Sequence, residues 1–322
     1  MTEPTFRPTT LDDAELAADL MTAAYPSLAV DPVLTRYRWA HPRQGWTYGG
    51  FIAEMSGKPI AFLHLMHGPP EQDPQRHCEV TVALDQSSLE VDLLTHLWHW
   101  ATEQAAAGGS QMLQAYAVED EPEVLEALGR VGYGRDRFEK AWRLDLGLHG
   151  TRLVGEAKHE RVEVERAGYE LTTVARWDAP MKFEALYSLD TVTRKDIPTT
   201  FPILPETFEN FMERLRSPDR PHDKWWVALS GSNPVAMSYL IFPPVRGQVW
   251  TGYTCCDPDQ RGRGIARAVK LQSLAQAVEL GVPYVYTVND SENAPMLHIN
   301  ERLGYGPQPG LIALLKRVQK ER

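Results

Sequence analysis

Asp257-Pro258-Asp259-Gln260-Arg261-Gly262-Arg263-Gly264-Ile265-Ala266-Arg267 is the stretch of this chain best equipped for chemistry. It follows an extended run, Val249 to Cys256, and opens a long helical pattern. It therefore reads as a strand, a tight loop and a helix start. Gly262 and Gly264 let the backbone turn tightly and let a ligand approach the amides with no Cβ in the way. The first helical turn adds unpaired N–H groups and the positive end of its dipole, which makes a cradle for phosphate. Arg261, Arg263, Arg267 and Lys270 put positive charge where a pyrophosphate would lie. The pattern is not the dinucleotide fingerprint G-x-G-x-x-G, and no Gly-Lys-Ser/Thr follows as in nucleotide hydrolases.

Two further features narrow the reading. Arg261-x-x-Gly264-x-Ala266 resembles the R/Q-x-x-G-x-G/A signature of the GCN5-related N-acetyltransferases, the GNAT superfamily. Asn293-Ala294-Pro295-Met296-Leu297-His298-Ile299-Asn300-Glu301-Arg302-Leu303-Gly304-Tyr305 resembles the family's later run, which closes on Gly-aromatic. Order and spacing agree from Val249 to Tyr305. The resemblance implies that the loop binds the pyrophosphate of acetyl-coenzyme A, with Arg261, Gly262, Arg263, Gly264, Ile265, Ala266 and Arg267 in contact. It also implies direct transfer of acetyl to an amine. That chemistry needs a donor for the developing oxyanion, a route for the amine's proton and a way to accommodate the thiolate.

By the same resemblance, Cys256 donates its backbone amide to the acetyl carbonyl, and Tyr253, Thr254 and Cys255 line the pantetheine arm or the acceptor side. Asn289 and Asn293 match the family's pantetheine-contacting asparagine, Asn293 more closely, although both types also suit turns and N-caps. Two departures stand out. Many members carry an acidic tyrosine where this chain has Asn300, so Asn300 is expected to hold the sulfur or carbonyl in place rather than supply a proton. Some members carry a glutamate on the fourth strand as general base, and none occurs from Val249 to Cys256. Water, Asp196 or Glu206 are the remaining routes for the proton.

The chain has 322 residues, 43% of them hydrophobic, enough for two cores of ordinary size. Mean hydropathy is −0.36, and the longest apolar runs fall far short of a membrane span. Met1 to Thr5 lacks the basic and apolar parts of a signal peptide. The cysteines are three, Cys78, Cys255 and Cys256. An odd count with an adjacent pair is no disulfide framework, so a reducing cytoplasm is expected. No Cys/His cluster has metal spacing, and a net charge of −10 argues against nucleic-acid binding. The partner expected is a small-molecule amine, with acetyl-coenzyme A as co-substrate, no metal and no membrane; the chain is expected to be a monomer or homodimer.

The elements that must position the loop recur twice. Phe6-Arg7-Pro8-Thr9-Thr10 echoes Tyr169-Glu170-Leu171-Thr172-Thr173; Ala53 to Ala61 echoes Ala228 to Ala236; Arg130-Val131-Gly132-Tyr133-Gly134 echoes Arg302-Leu303-Gly304-Tyr305-Gly306. The offsets, 163, 175 and 172 residues, are nearly constant, which points to a tandem repeat. The expected fold is α/β: two tandem GNAT folds, each a mixed, mostly antiparallel twisted sheet flanked by helices. The expected division is 1–148, a connecting helix at 149–164, and 165–322. Mixed charges at helical spacing make that connection an exposed helix. In the second half the pattern predicts strands at Tyr169–Val174, Trp225–Leu229, Pro234–Phe242, Val249–Cys256, Tyr284–Val288 and Leu311–Arg317. Helices are predicted at Met181–Thr191, Glu206–Arg214, Arg263–Glu279 and Pro295–Leu303. The first half has the matching strand, His77 to Leu84, and helix, Leu89 to Gln104. Between them, Asp85 to Asp92 carries no glycine and three carboxylates, Asp85, Glu90 and Asp92. Negative charge there opposes a pyrophosphate, so the first half is expected to be a degenerate copy. Trp39, Trp46 and Tyr48 could line a cleft in it. The alternatives are a non-catalytic acyl-coenzyme A sensor or scaffold, and a transferase for another acyl group.

Overall fold

The helix ends explain one of the repeated motifs. A computed structural model describes residues 3–318 of the chain. In it, helices at Pro122–Val131 and Ala294–Leu303 both stop at a glycine in the left-handed region, Gly132 at φ 92° and Gly304 at φ 91°. The next residue then donates its amide five residues back, Tyr133 to Leu128 at 3.0 Å and Tyr305 to Asn300 at 3.1 Å. That is the glycine-terminated C-cap. It turns both tyrosines into the interior.

Strands β1 (Thr5–Pro8), β2 (Thr47–Met55), β3 (Lys58–His67), β4 (His77–Leu84), β5 (Met112–Val118) and β6 (Gly134–Asp145) come from the first half. The second supplies β7 (Tyr169–Thr173), β8 (Trp225–Ser230), β9 (Asn233–Ile241), β10 (Val249–Cys256), β11 (Tyr284–Asp290) and β12 (Gly306–Arg317). The helices in chain order are α1 (Ala14–Ala24), α2 (Pro32–Ala40), α3 (Val91–Ala107), α4 (Pro122–Val131), α5 (Leu146–Arg166), α6 (Lys182–Arg194), α7 (Phe208–Leu215), α8 (Ile265–Glu279) and α9 (Ala294–Leu303). Among the described residues no helix is long and apolar enough to cross a membrane.

The two halves are not two separate sheets. All strands form one 12-stranded sheet in the order β1-β2-β3-β4-β5-β12-β6-β11-β10-β9-β8-β7. The last strand of each half has crossed over. β12 pairs with β5, Leu311 opposite Val118 through Arg317 opposite Met112. β6 pairs with β11, Asp145 opposite Tyr284 through Glu139 opposite Asp290. The cores follow the exchange: Ile312 and Leu314 pack with the first half's β4, α3 and α4, while Trp142 and Leu144 pack with α8, α9 and β11. A division by chain position therefore does not divide the sheet.

α5 is also more than a connection. Its Leu146, Gly150, Leu153, Ala157 and Val164 are buried, and Leu153 and Ala157 join the core containing Leu271 and Leu274 of α8. The charged pattern occupies only its outer face, as in Arg152–Glu156 and Arg161–Glu165.

Among the described residues every strand pairing is antiparallel except two, β4–β5 and β10–β11. Each of these is brief. β4 and β5 are in register at His77, Cys78 and Glu79 only; β10 and β11 are in register at Val249 and Trp250 only. Past those residues the strands part, and β10 carries a register shift against β9 between Thr251 and Tyr253, a bulge that turns it further. Each half thus contains a wedge-shaped opening between its two parallel strands.

Candidate active site in the second half

The loop seen first in the sequence sits at the mouth of the β10–β11 opening. Asp257 accepts a hydrogen bond from the amide of Asp259 and caps a 3-10 turn at Pro258–Gln260. The backbone then passes through Gly262 at φ 77° and Gly264 at φ 78° and enters α8 with Gly264 as N-cap. At both glycines a Cβ would meet open space, so the lining of the loop is bare backbone. Gly264's carbonyl accepts from Ala268, which leaves the amides of the first turn facing outward without intrahelical acceptors. Exposed backbone donors at a helix N-terminus are what a pyrophosphate requires.

The four cations divide into two pairs. Arg261 and Arg263 are exposed on the loop; Arg261 donates to Asp196 and, at 3.3 Å, to the carbonyl of Cys256, and Arg263 donates to the Tyr169 hydroxyl at 3.0 Å. Arg267 instead turns toward α5 and pairs with Glu156 and Glu160. Lys270 is fully buried. For these two the expected pyrophosphate contact is replaced by internal partners, because their positions on α8 face α5 and the core rather than the loop mouth. Ile265 is a buried anchor of the helix, and Ala266 is half-buried behind the loop.

Lys270 donates to Asn300 Oδ1 at 2.8 Å, and Asn300 Nδ2 donates to Asn289 Oδ1 at 2.6 Å. This chain links α8, α9 and β11. Loss of hydration pushes the Lys270 ammonium down to about 7. Asn300 is fully buried with both ends of its amide engaged, so it braces Asn289 and Lys270 where the sequence led us to expect contact with sulfur or carbonyl. Asn293 is the N-cap of α9, its side chain accepting from Met296 at 3.4 Å. The ammonium of Lys270 was legible as a helical charge near the loop, but its burial was not.

On β10, Asp257 donates its amide to Val235 of β9 at 2.8 Å. Backbone donors alternate along a strand, so the Cys256 N–H points to the β11 side, into the opening. The thiols face the cores on opposite sides of the sheet, Cys255 with Trp225 and Tyr239, Cys256 with Ile265 and Ala268. Burial pushes Cys255 up to about 12 and Cys256 up to about 11, which removes thiolate at neutral pH. Tyr253 is half-buried, donates its hydroxyl to Thr193 Oγ1 at 3.0 Å and lies under Arg194 at 5.1 Å; burial raises its pKa well above that of a free phenol.

Asp190, Asp196 and Glu206 are each paired. Asp196 holds Arg261, Glu206 holds Arg214 at 2.7 Å, and the buried Asp190 holds Arg194 at 2.6 Å and Arg214 at 2.8 Å. Asp190 and Thr193 were not singled out from sequence. Their spacing with Leu186 and Leu189 on one face of α6 is the signal that would have found them. Among the described residues no group of three or more His, Cys, Asp or Glu could hold a metal ion.

The first half offers a direct contrast. Asp85 caps a 3-10 turn at Gln86–Ser88 just as Asp257 does, but α3 begins six residues after the aspartate, whereas α8 begins eight after. No residue from 85 to 92 has positive φ. The corresponding cleft, about 300 Å³, is lined by Tyr25, Gln86, Leu89, Asp120, Glu121 and Glu123 among others. Burial raises the Glu121 carboxyl to about 7.

Comparison with known proteins agrees with this geometry. Residues 186–305 match the sequence model of the Acetyltransferase (GNAT) family. No match is found among curated protein sequences. A tandem GNAT protein from the clavulanic acid biosynthesis pathway superposes with a TM-score of 0.77 at 18% identity, covering 99% of this chain and 100% of that one. A GCN5-related N-acetyltransferase from Sphaerobacter thermophilus gives 0.69 at 16% identity, over 99% and 97% of the two chains. The Saccharomyces cerevisiae N-myristoyltransferase with bound myristoyl-CoA gives 0.61 at 13% identity, over 100% and 80%. Residues 186–305 thus match the GNAT family model, and along its whole length the chain has the fold of tandem GNAT proteins.

Proposed function

We propose that the protein is an acyl-coenzyme A-dependent N-acyltransferase, with acetyl-coenzyme A as donor, a small-molecule primary amine as acceptor and the working site in the second half. The observation that carries this is the glycine-lined loop at Gly262 and Gly264, opening α8 beside strands that part after Trp250. The loop amides, with Arg261 and Arg263, would hold the pyrophosphate. The thioester supplies an activated acyl group and a thiolate leaving group. The Cys256 amide donates toward the acyl carbonyl in the opening, where a fixed donor favours developing negative charge. Asn289, braced by Asn300 and Lys270, and Asn293 line the far side.

Asp196 and Glu206, the carboxylates the sequence offers as bases, are both held by arginines, so the acceptor's proton would leave through water; Asp196 becomes available only when Arg261 turns to a phosphate. This predicts turnover that rises with pH as the amine deprotonates, with no descending limb from a protein acid. The test is thioester turnover across an amine panel with free-thiol detection, alongside calorimetry of coenzyme A binding. One site per chain and amine-dependent thiol release are expected. Binding without turnover of any amine would favour the second reading, a non-catalytic acyl-coenzyme A sensor or scaffold, for which the paired state of Asp190, Asp196 and Glu206 speaks. Turnover with a longer acyl donor but not with acetyl would change the acyl group alone.

A further inference from the structure

The first half contains a second opening on the other side of its sheet, far in sequence from the glycine loop. It is a cavity of about 350 Å³, within the range of small-molecule sites. Strands β4 and β5 supply His77, Glu79 and Tyr116, the turn before β2 supplies Trp46, and the segment Thr199–Leu204 of the second half closes it with Phe201. The closure is specific. Gly68 is the residue that admits Leu204, since a Cβ there would lie 2.2 Å from Leu204 Cδ1. Thr200 donates to Asp136 at 2.6 Å, and the Phe201 ring lies 4.2 Å from the His77 ring. His77 is itself fixed by the buried Asp73, Nδ1 to Oδ1 at 2.7 Å.

Two charges in this cavity have no partner of their own. The Glu79 carboxylate is recessed among Tyr116, Gln114 and Met66, and no hydrogen bond or ion pair to it is found among the described residues. Loss of hydration raises its protonation range, and only the field of Arg43 opposes this. A carboxylate left in that state is stabilised by a cation that brings its own hydrogen bonds. At the rim Arg43 is exposed, stacked over Trp46 at 5.1 Å, and makes no ion pair among the described residues. Gln114 donates to the Tyr116 hydroxyl at 2.9 Å, which leaves the Tyr116 proton free to donate inward. The walls between the two charges are aromatic.

We propose that this cavity is a ligand site for a small amino-carboxylate, its ammonium on Glu79 and its carboxylate toward Arg43, with an apolar middle between Trp46 and Phe201. The site is independent of the thioester reading, because it uses none of the glycine loop. Calorimetry with three matched probes tests it: 6-aminohexanoate, hexylamine and hexanoate. The expected order of affinity is 6-aminohexanoate, then hexylamine, then hexanoate. Glu79→Gln should weaken both amines by about tenfold or more, as for loss of a hydrogen bond to a charged group, and leave hexanoate unchanged. Arg43→Ala should weaken 6-aminohexanoate and leave hexylamine unchanged. Phe201→Ala, which opens the cap, should weaken all three. The Glu79→Gln protein should keep the wild-type circular dichroism spectrum and a cooperative thermal unfolding transition, which shows that the variant is folded. Absence of 6-aminohexanoate binding, or binding that Glu79→Gln does not alter, overturns the proposal. Equal affinity for hexylamine and 6-aminohexanoate overturns its anionic half.

Discussion

The loops after β4 and β10 begin alike and end differently. Asp85 and Asp257 each cap a 3-10 turn, so the strand exits are equivalent. After Asp257 come two left-handed glycines, two exposed arginines and bare amides; after Asp85 come a shorter path, no left-handed residue and a cleft edged by Asp120, Glu121 and Glu123. One fold therefore carries a glycine-lined, arginine-flanked loop in one half and an acidic cleft in the other. The difference rests on a handful of residues, since the surrounding sheet and helices are the same. The sheet tolerates such divergence because the exchanged strands β6 and β12 tie each half's core to the other.

The largest effect should come from Gly264→Val, which forces a branched residue to φ 78° and covers the amides. Coenzyme A binding should fall by more than about a hundredfold, beyond what losing one charged hydrogen bond would cost. Two equivalent sites in wild type, or full affinity in this variant, would erase the contrast between the loops. Next is Leu314→Ala in β12. Leu314 is buried in the first half's core, so the change should cost about 2–5 kcal/mol. Hydrogen exchange should then rise in β5 and α3 before β10; the reverse order would break the strand-exchange account.

Arg261→Ala should reduce coenzyme A affinity about tenfold and flatten its salt dependence, because the exposed Asp196 pair it gives up is worth little by itself. Lys270 sharpens the comparison from below, as α3 contains no lysine. Folded, its amine releases its proton near 7; unfolded, near 10.5. Between those values the unfolded chain binds more protons, so this group makes stability rise with pH, and its cost is fully present below about 7. Denaturation of wild type and Lys270→Met at about pH 7 and about pH 10 should show wild type gaining on the variant by a few kcal/mol as pH rises. A constant difference would show that burial leaves the lysine undisturbed. The smallest effects belong to Cys255→Ala and Cys256→Ala, each keeping turnover within about tenfold of wild type; a trapped acyl-cysteine would overturn direct transfer.

The cradle was legible because it is local: glycine spacing, a strand before it and a helix after it are properties of a dozen consecutive residues. The helix ahead of Gly304 was legible too, expected at Pro295–Leu303 and found at Ala294–Leu303, whereas the helix ahead of Gly132 was marked only by the repeated Gly-Tyr motif. The elements around the loop follow the sequence pattern closely, with α8 at Ile265–Glu279 against an expected Arg263–Glu279, and β7 at Tyr169–Thr173 against Tyr169–Val174.

What the sequence by itself determined is thus each short-range choice, helix, strand, turn and the positive φ at Gly262 and Gly264, because the competing conformations differ within one stretch of chain. Tertiary structure alone decided which partner each side chain met. Arg267 reads as a phosphate ligand until α5 brings Glu156 and Glu160 against it, more than a hundred residues away in the chain. Asn300 reads as a cleft residue until packing of α9 on α8 seals it against Lys270. The final strands read as closing their own halves, yet a period-2 pattern names a buried face and not a neighbour, and β12 pairs with β5 while β6 pairs with β11, each filling the other half's core.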